Sequence, residues 1–276
     1  MVENGNAAAS IVERLAGKRI LLTGVTGFLG QVVLERLLAD FPETTVLLLV
    51  RSQAGSSAVD RVHYLTRKPS FDALRERLGS DDALLQLLDD RVEVIDGDFS
   101  RGRPEIPAGI DVAIHSAATV SFDPPIDEAF QTNLLGAMNL YEGVLGGGSR
   151  PALVHVSTAY VAGVQKGVIP ERTLDHRVDW RLEADLASTA RRDVEASSRK
   201  PELLERFLAD AAEEHSRAGP TTVSEDAEQR RKDWVTKRLV EYGRQRARSL
   251  GWPDVYTFTK AMGERAVEEL AGREHL

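Results

Sequence analysis

Lys18-Arg19-Ile20-Leu21-Leu22-Thr23-Gly24-Val25-Thr26-Gly27-Phe28-Leu29-Gly30 is the stretch that decides the fold. Its first six residues form a short apolar run that stops at a glycine, which reads as a buried parallel strand. From Gln31 to Asp40, Val32, Val33, Leu37 and Leu38 recur at helical spacing. A glycine pattern alone is weak, but one lodged between a strand and a helix is specific. Gly24 permits the tight turn, Gly27 lets the backbone approach a pyrophosphate, and Gly30 lets the helix pack closely on the strand. Amides at the start of that helix then face the phosphates of a dinucleotide.

Reading outward, Val46–Val50, Val92–Ile95, Val112–His115 and Leu153–Val156 are further short apolar runs. Helical patterns lie between them, at Phe71–Leu88 and Asp127–Leu145. The alternation predicts an α/β fold, a doubly wound parallel sheet of Rossmann type. From about 163 to 250 strand-like runs are few and charges many. Pro201–His215 places Leu203, Leu204, Phe207, Leu208 and Ala211 on one face, and Asp233–Leu250 is basic. This stretch is expected to be a mostly helical insertion carried on a single domain of residues 1–276.

The end of the second strand bears on the cofactor. An NAD enzyme usually has an acid there to bond the ribose 2′-hydroxyl. This chain has Arg51 followed by Ser52, and a guanidinium pairs with a 2′-phosphate in a bidentate way. NADP(H) is the expectation, against a surface arginine beside the sheet. Asp98 is placed to accept from an adenine amino group or to serve as a turn aspartate. Ala117 and Ala118, after His115-Ser116, are small for the cofactor or for packing.

Strand five runs into Ser157-Thr158-Ala159-Tyr160, and much later Tyr256-Thr257-Phe258-Thr259-Lys260 opens a helix. A spacing of four puts Tyr256 and Lys260 on one helical face. A tyrosine near its ordinary pKa is a poor acid at neutral pH, and a nearby ammonium lowers that pKa. Tyr256 would protonate an oxygen that gains charge as hydride arrives, Ser157 would donate a second hydrogen bond to it, and Lys260 would hold the nicotinamide ribose. Tyr160 is a rival acid, but Val164 stands where its lysine would be. Asn133 bonds backbone or water near the lysine, or is an ordinary helix residue.

Together these pieces resemble the extended short-chain dehydrogenase/reductases, and within them the fatty acyl-CoA reductases of bacterial type. Thr23–Gly30, Thr132–Gly136, Val156–Val161, Val255–Ala261 and the Ser70–Arg75 segment carry the resemblance. It implies reduction of a fatty acyl thioester by NADPH to fatty aldehyde, fatty alcohol or both. It implies Thr23, Gly24, Thr26, Gly27, Phe28, Leu29, Gly30, Arg51, Ser52, Asp98, Ala117 and Lys260 as cofactor-binding, with Ser157, Tyr256 and Lys260 as catalytic. Members of the family continue with a substrate-binding lobe, so the C-terminal lobe is expected to be missing from these 276 residues. Three alternatives stay open: a non-catalytic NADPH-binding fragment, the reductase domain of a carboxylic acid reductase, and an extended reductase acting on another carbonyl. A homodimer and peripheral membrane contact are options the resemblance leaves standing. The basic face near Arg244–Arg248 reads as CoA- or lipid-facing, or as a solvated helix face.

Bulk composition narrows the rest. Thirty-five basic against 43 acidic residues give a net charge of −8, which argues against nucleic acid as partner. With no cysteine, disulfides and thiol chemistry are excluded. Six scattered histidines show no H-E-x-x-H spacing, so no metal is expected. No apolar run reaches the ~20 residues of a membrane span, and Met1–Ser10 lacks a secretion-signal pattern. Cytoplasm is the default compartment.

Overall fold

The computed structural model describes residues 10–171, 176–215 and 219–274. The polar opening at Met1–Ser10 therefore lies, but for Ser10, outside the described residues. Strands are β1 (Arg19–Thr23), β2 (Thr45–Val50), β3 (Val92–Asp96), β4 (Val112–His115) and β5 (Ala152–His155). Helices begin with α1 (Ile11–Leu15), α2 (Phe28–Asp40), α3 (Ala58–Leu65), α4 (Asp72–Leu78), α5 (Asp81–Arg91) and α6 (Ile126–Phe130). They continue with α7 (Gly136–Gly146), α8 (Trp180–Ser198), α9 (Pro201–Glu214), α10 (Pro220–Ser249) and α11 (Val255–Glu274). Two compact units emerge, one within Met1–Ala118, Gly136–Val156 and Leu270–Leu276, the other within Thr119–Leu135 and Ser157–Glu269.

The first unit is a five-stranded sheet in the order β3-β2-β1-β4-β5, every pair parallel. It is the doubly wound α/β fold that the strand–helix alternation implies. β1 is central, with Ile20 opposite Val46 on one side and Val112 on the other. Ile20, Leu21, Leu22 and Thr23 are all buried, which explains an apolar run without alternation, since both faces of the strand are covered. Ile20, Leu22, Val46, Leu48 and Val50 share a core with Leu34, Leu37 and Leu38 of α2, Val62 and Leu65 of α3, Leu74 of α4, and Leu84 and Leu88 of α5. Alternate residues face the other way. There the Tyr141 hydroxyl of α7 lies 3.1 Å from His155 Nδ1, and its ring meets His115 edge-on.

β4 has the expected bounds, and the other four strands depart from theirs by a residue at one or both ends. Two expected helices are broken. Phe71–Leu88 divides into α4 and α5 because Gly79 takes φ +86° and ends the first helix, while the Ser80 side chain caps the second. Asp127–Leu145 is interrupted by a π-helical turn at Gln131–Leu135. α3 is set by a reciprocal Ser57–Asp60 capping box.

The second unit is helical, as expected of the stretch between about 163 and 250, except that described residues 163–171 and 176–179 are not helix. α9 and α10 pack through Phe207, Ala211 and Ala227, with Trp234 against them. Arg231, on α10, is buried and bonds Glu228, Glu195 and Ser198. On the basic face of α10, Arg244 and Arg246 are matched within the protein, while Arg248 is exposed. Arg246 makes two hydrogen bonds to buried Glu183, at 2.8 and 2.6 Å. Arg244 pairs with Asp123, and the Arg238 guanidinium lies over the Trp234 ring. An arginine opposite a matched carboxylate neutralises its neighbour before it can draw an external anion. Among the described residues no helix is long and apolar enough to cross a membrane.

Candidate active site

The glycine turn leaves the end of β1 in the first unit. Thr23 is buried, and its Oγ1 lies 2.7 Å from His115 Nδ1 at the end of β4. Ser116 Oγ donates to the Thr23 carbonyl at 2.7 Å, and the Ala117 amide reaches Thr23 Oγ1 at 3.4 Å. Gly24 then takes φ +80°, and a Cβ there would stand 2.7 Å from the Ala117 nitrogen, so an L side chain is excluded twice over. A Cβ on Gly30 would stand 2.2 Å from the Gly24 carbonyl oxygen. The close approach is therefore of the helix to the turn just past β1, where the sequence reading assigns this glycine to packing on the strand itself.

Val25 is buried, while Thr26, Gly27, Phe28 and Leu29 are exposed. Phe28, at 84% exposed, presents a bare ring beside the turn. No side chain caps the first turn of α2, and no acid stands in it. Its amides and the positive end of the helix are available to an anion. The turn thus fits a dinucleotide pyrophosphate.

At the end of β2 an open polar pocket of about 410 Å³ is lined by Arg51–Ala54, Asp96–Asp98 and Arg101. Asp96 is occupied: the Ser52 amide and hydroxyl donate to its two oxygens at 2.8 and 2.6 Å. Those bonds hold its carboxyl below the usual range. Asp98 Oδ1 accepts from the Ser100 amide and hydroxyl, and Oδ2 faces Arg51 at 3.4 Å and Arg101 at 3.5 Å. Burial would raise the Asp98 carboxyl, but the Ser100 hydrogen bonds and the Arg51 charge outweigh it, and the group sits low. Arg101 is the residue here that the sequence reading misses. Its signal is an arginine three positions after Asp98, spaced to share that carboxylate.

In the second unit, Asp254 accepts from the Thr257 amide and fixes the start of α11, so Tyr256 and Lys260 fall in its first two turns. Lys260 is buried, which pushes its ammonium down to about 8 against the weaker opposing charge of Glu264. Asn133 lies in the π-helical turn; its Oδ1 accepts from the Thr119 amide and its Nδ2 donates to Thr259 Oγ1, both at 3.0 Å. π-turns inside helices are frequent at functional sites. Ser157 Oγ is buried with no hydrogen-bond partner. A buried hydroxyl in that state awaits an acceptor or donor. Tyr160, the rival acid, is 69% exposed.

Geometry therefore gathers the sequence-expected residues into two groups. Thr23, Gly24, Gly30 and Ala117, and separately Arg51, Ser52 and Asp98, cluster in the first unit. Ser157, Tyr256 and Lys260 all belong to the second.

Residues 22–276 match the NAD-binding family described as Male sterility protein. Probable fatty acyl-CoA reductase 5 of Arabidopsis thaliana is 33% identical over 267 residues, which span 92% of this chain and 49% of that protein. The alcohol-forming fatty acyl-CoA reductase of Simmondsia chinensis is 29% identical over 277 residues, 95% of this chain and 50% of that protein. Among solved structures, the terminal R domain from the myxalamid PKS-NRPS biosynthetic pathway aligns with 95% of this chain and 47% of its own, at a TM-score of 0.53 and 20% identity. That likeness speaks to the fold. The chain spans about half the length of the curated relatives it matches.

Proposed function

The chain belongs to the Male sterility protein family of NAD-binding domains, and from that membership we propose that it carries the NADPH-dependent reduction of a fatty acyl-CoA thioester to fatty aldehyde or fatty alcohol. The observation that carries the reading is the buried, unpartnered Ser157 hydroxyl in the same compact unit as Tyr256 and Lys260. NADPH, when bound, supplies hydride to the carbonyl carbon. The protein's part is to manage the oxygen. Ser157 donates a hydrogen bond to it, and Tyr256 gives it a proton as negative charge develops. Lys260 provides a buried cation one helical turn from Tyr256 and a donor for the nicotinamide ribose. The thiohemiacetal so formed then collapses: its C–S bond breaks, the hydroxyl proton passes to sulfur, CoA leaves as the thiol and the aldehyde remains; a second hydride and proton would give the alcohol.

Support for NADPH over NADH comes from the pocket after β2. It presents Arg51 and Arg101, and its Asp96 carboxylate is already engaged by Ser52. A 2′-phosphate would take both guanidinium groups from Asp98 and free its Oδ2 for the adenine amino group. The helical stretch between about 163 and 250 is, on this reading, an insertion carried by the reductase domain.

The test is loss of NADPH absorbance with a long-chain acyl-CoA, with Tyr256→Phe as control. Turnover cut to a small residual rate in the control supports the assignment. Tight NADPH binding without turnover would favour the second reading, a cofactor-binding unit that turns over no substrate by itself. No NADPH binding would overturn both.

A further inference from the structure

The long helix α10 carries no residue of the proposed chemistry, yet two of its residues reach the neighbourhood of Tyr256. Gly243 sits where a Cβ would stand 2.8 Å from Val255 Cγ2 and 2.9 Å from Ile126 Cβ. The helix backbone is therefore pressed against the first residue of α11 and the first residue of α6 at once. Next to it, Arg244 grips Asp123 with two parallel hydrogen bonds, Nε to Oδ1 at 3.2 Å and Nη2 to Oδ2 at 2.9 Å. This fork fixes orientation as well as distance. Phe122 precedes Asp123 directly, and its ring stands edge-on to the Tyr256 ring, 6.0 Å between centroids at 87°. Phe122 is 62% exposed, so no surrounding core holds its ring in place. The ring meets the Tyr256 ring, and the residue next to it is the one Arg244 grips.

We propose that Arg244 is a positioning residue for catalysis: by clamping Asp123 it holds Phe122 against Tyr256, and so holds the phenol in the orientation that proton transfer needs. The proposal rests on the reading of Tyr256 as the proton donor. It gives the helical stretch a function, since α10 is the element that supplies the clamp. An aromatic edge-to-face contact restricts ring orientation, and small misplacements of a reacting group cost rate steeply. An exposed ion pair adds little to stability, so removing it tests positioning apart from folding.

Arg244→Ala and Phe122→Ala should each lower kcat about tenfold, within the range set by misplacement, with KM for NADPH and the melting temperature unchanged. The charge-swapped pair Asp123→Arg with Arg244→Asp should recover most of the loss. Combined with Tyr256→Phe, Arg244→Ala should cost nothing further, because a residue acting through the tyrosine has nothing left to position. Wild-type kcat in Arg244→Ala, or losses that multiply with Tyr256→Phe, would overturn the proposal. Full turnover in Tyr256→Phe itself would instead overturn the underlying reading. Where the chain turns over no substrate, carbon-13 NMR of labelled tyrosine decides: the Tyr256 ring signal, identified by its loss in Tyr256→Phe, should move in both alanine variants. An unmoved signal would sink the proposal.

Discussion

Gly30→Ala sets two opposing effects against each other at one atom. In an ordinary helix interior, alanine is better than glycine by about 1 kcal/mol. At Gly30 the new methyl would stand 2.2 Å from the Gly24 oxygen, 2.5 Å from the Gly24 carbonyl carbon and 2.7 Å from the Val25 nitrogen. An unstrained carbon–oxygen contact needs about 3.3 Å, so roughly 1 Å must be found. All three atoms are backbone, and the turn is pinned. Ser116 holds the Thr23 carbonyl, and Gly24 O accepts from the Gly27 amide at 2.9 Å. Overpacking costs about 1–3 kcal/mol, and loosening that hydrogen bond about 1 kcal/mol more. Set against the propensity gain, the net loss is about 1–3 kcal/mol, or a few to about ten degrees in melting temperature for a chain of this size. Gly272→Ala is the matched control, since it lies in α11 with nothing within 4 Å of its Cβ position, and it should raise stability by up to ~1 kcal/mol. Thermal melting of both variants, with NADPH affinity by fluorescence, makes the comparison. If Gly30→Ala melts with Gly272→Ala and binds NADPH like the parent, the close approach of helix and turn is not what this glycine provides.

Ser157→Ala should leave the melting temperature unchanged or slightly raised, because the hydroxyl it removes is buried without a partner; kcat should fall about 100-fold, and a cold-stable but fully active variant would refute the role. Burial holds the Lys260 ammonium at about 8 against an ordinary 10.5, so between those values the unfolded chain binds more protons than the folded one. Stability from this group therefore rises with pH across that window and is flat below it; Lys260→Met should abolish the rise, and melting curves of equal slope in both proteins would contradict it. Arg51→Ala and Arg101→Ala should each weaken NADPH by about 10–100-fold, as loss of a charge-assisted bond predicts, and leave NADH binding unchanged; equal losses for both cofactors would place the arginines elsewhere in recognition. Arg231→Ala should destabilise by about 1–3 kcal/mol in urea, because it removes hydrogen bonds to Glu195, Glu228 and the buried Ser198, while the two carboxylates are 33% and 47% exposed and return to water; a loss under about 0.5 kcal/mol would show that water replaces the guanidinium.

Much of the first unit is legible in the sequence because its signals are local. A strand covered on both faces must be continuously apolar, and the glycine turn declares itself by spacing, so β1 and β2 follow directly; α2 follows too, but begins at Phe28, inside the glycine turn and three residues before the spacing that announces it at Gln31. Helix breaks are harder to read. Leu74, Leu84 and Leu88 all face one core, and their periodicity runs on through Gly79, so only the left-handed glycine and the Ser80 cap reveal two helices. The π-helical turn at Gln131–Leu135 leaves no pattern in composition at all. Pairings across long stretches of chain are the least legible. Nothing near Arg244 or Arg246 points to Asp123 or Glu183, so a run of arginines reads as a basic face although these two charges are matched in space. Tyr256 and Lys260 declare themselves by their four-residue spacing, whereas Phe122 and Arg101 matter only through what they touch.

The strand order has a consequence for how the protein is made. With β1 at the centre of β3-β2-β1-β4-β5, the half of the sheet on one side of it is synthesised first. Residues from β1 to β3 already hold most of a shared apolar core, although a domain generally folds as a unit. The glycine turn in that half cannot then be finished. Its braces are His115, Ser116 and Ala117, which emerge only with β4. A nascent chain arrested before β4 would own the dinucleotide motif yet lack the groups that lock it, and cofactor binding would begin only once β4 had slotted in beside β1.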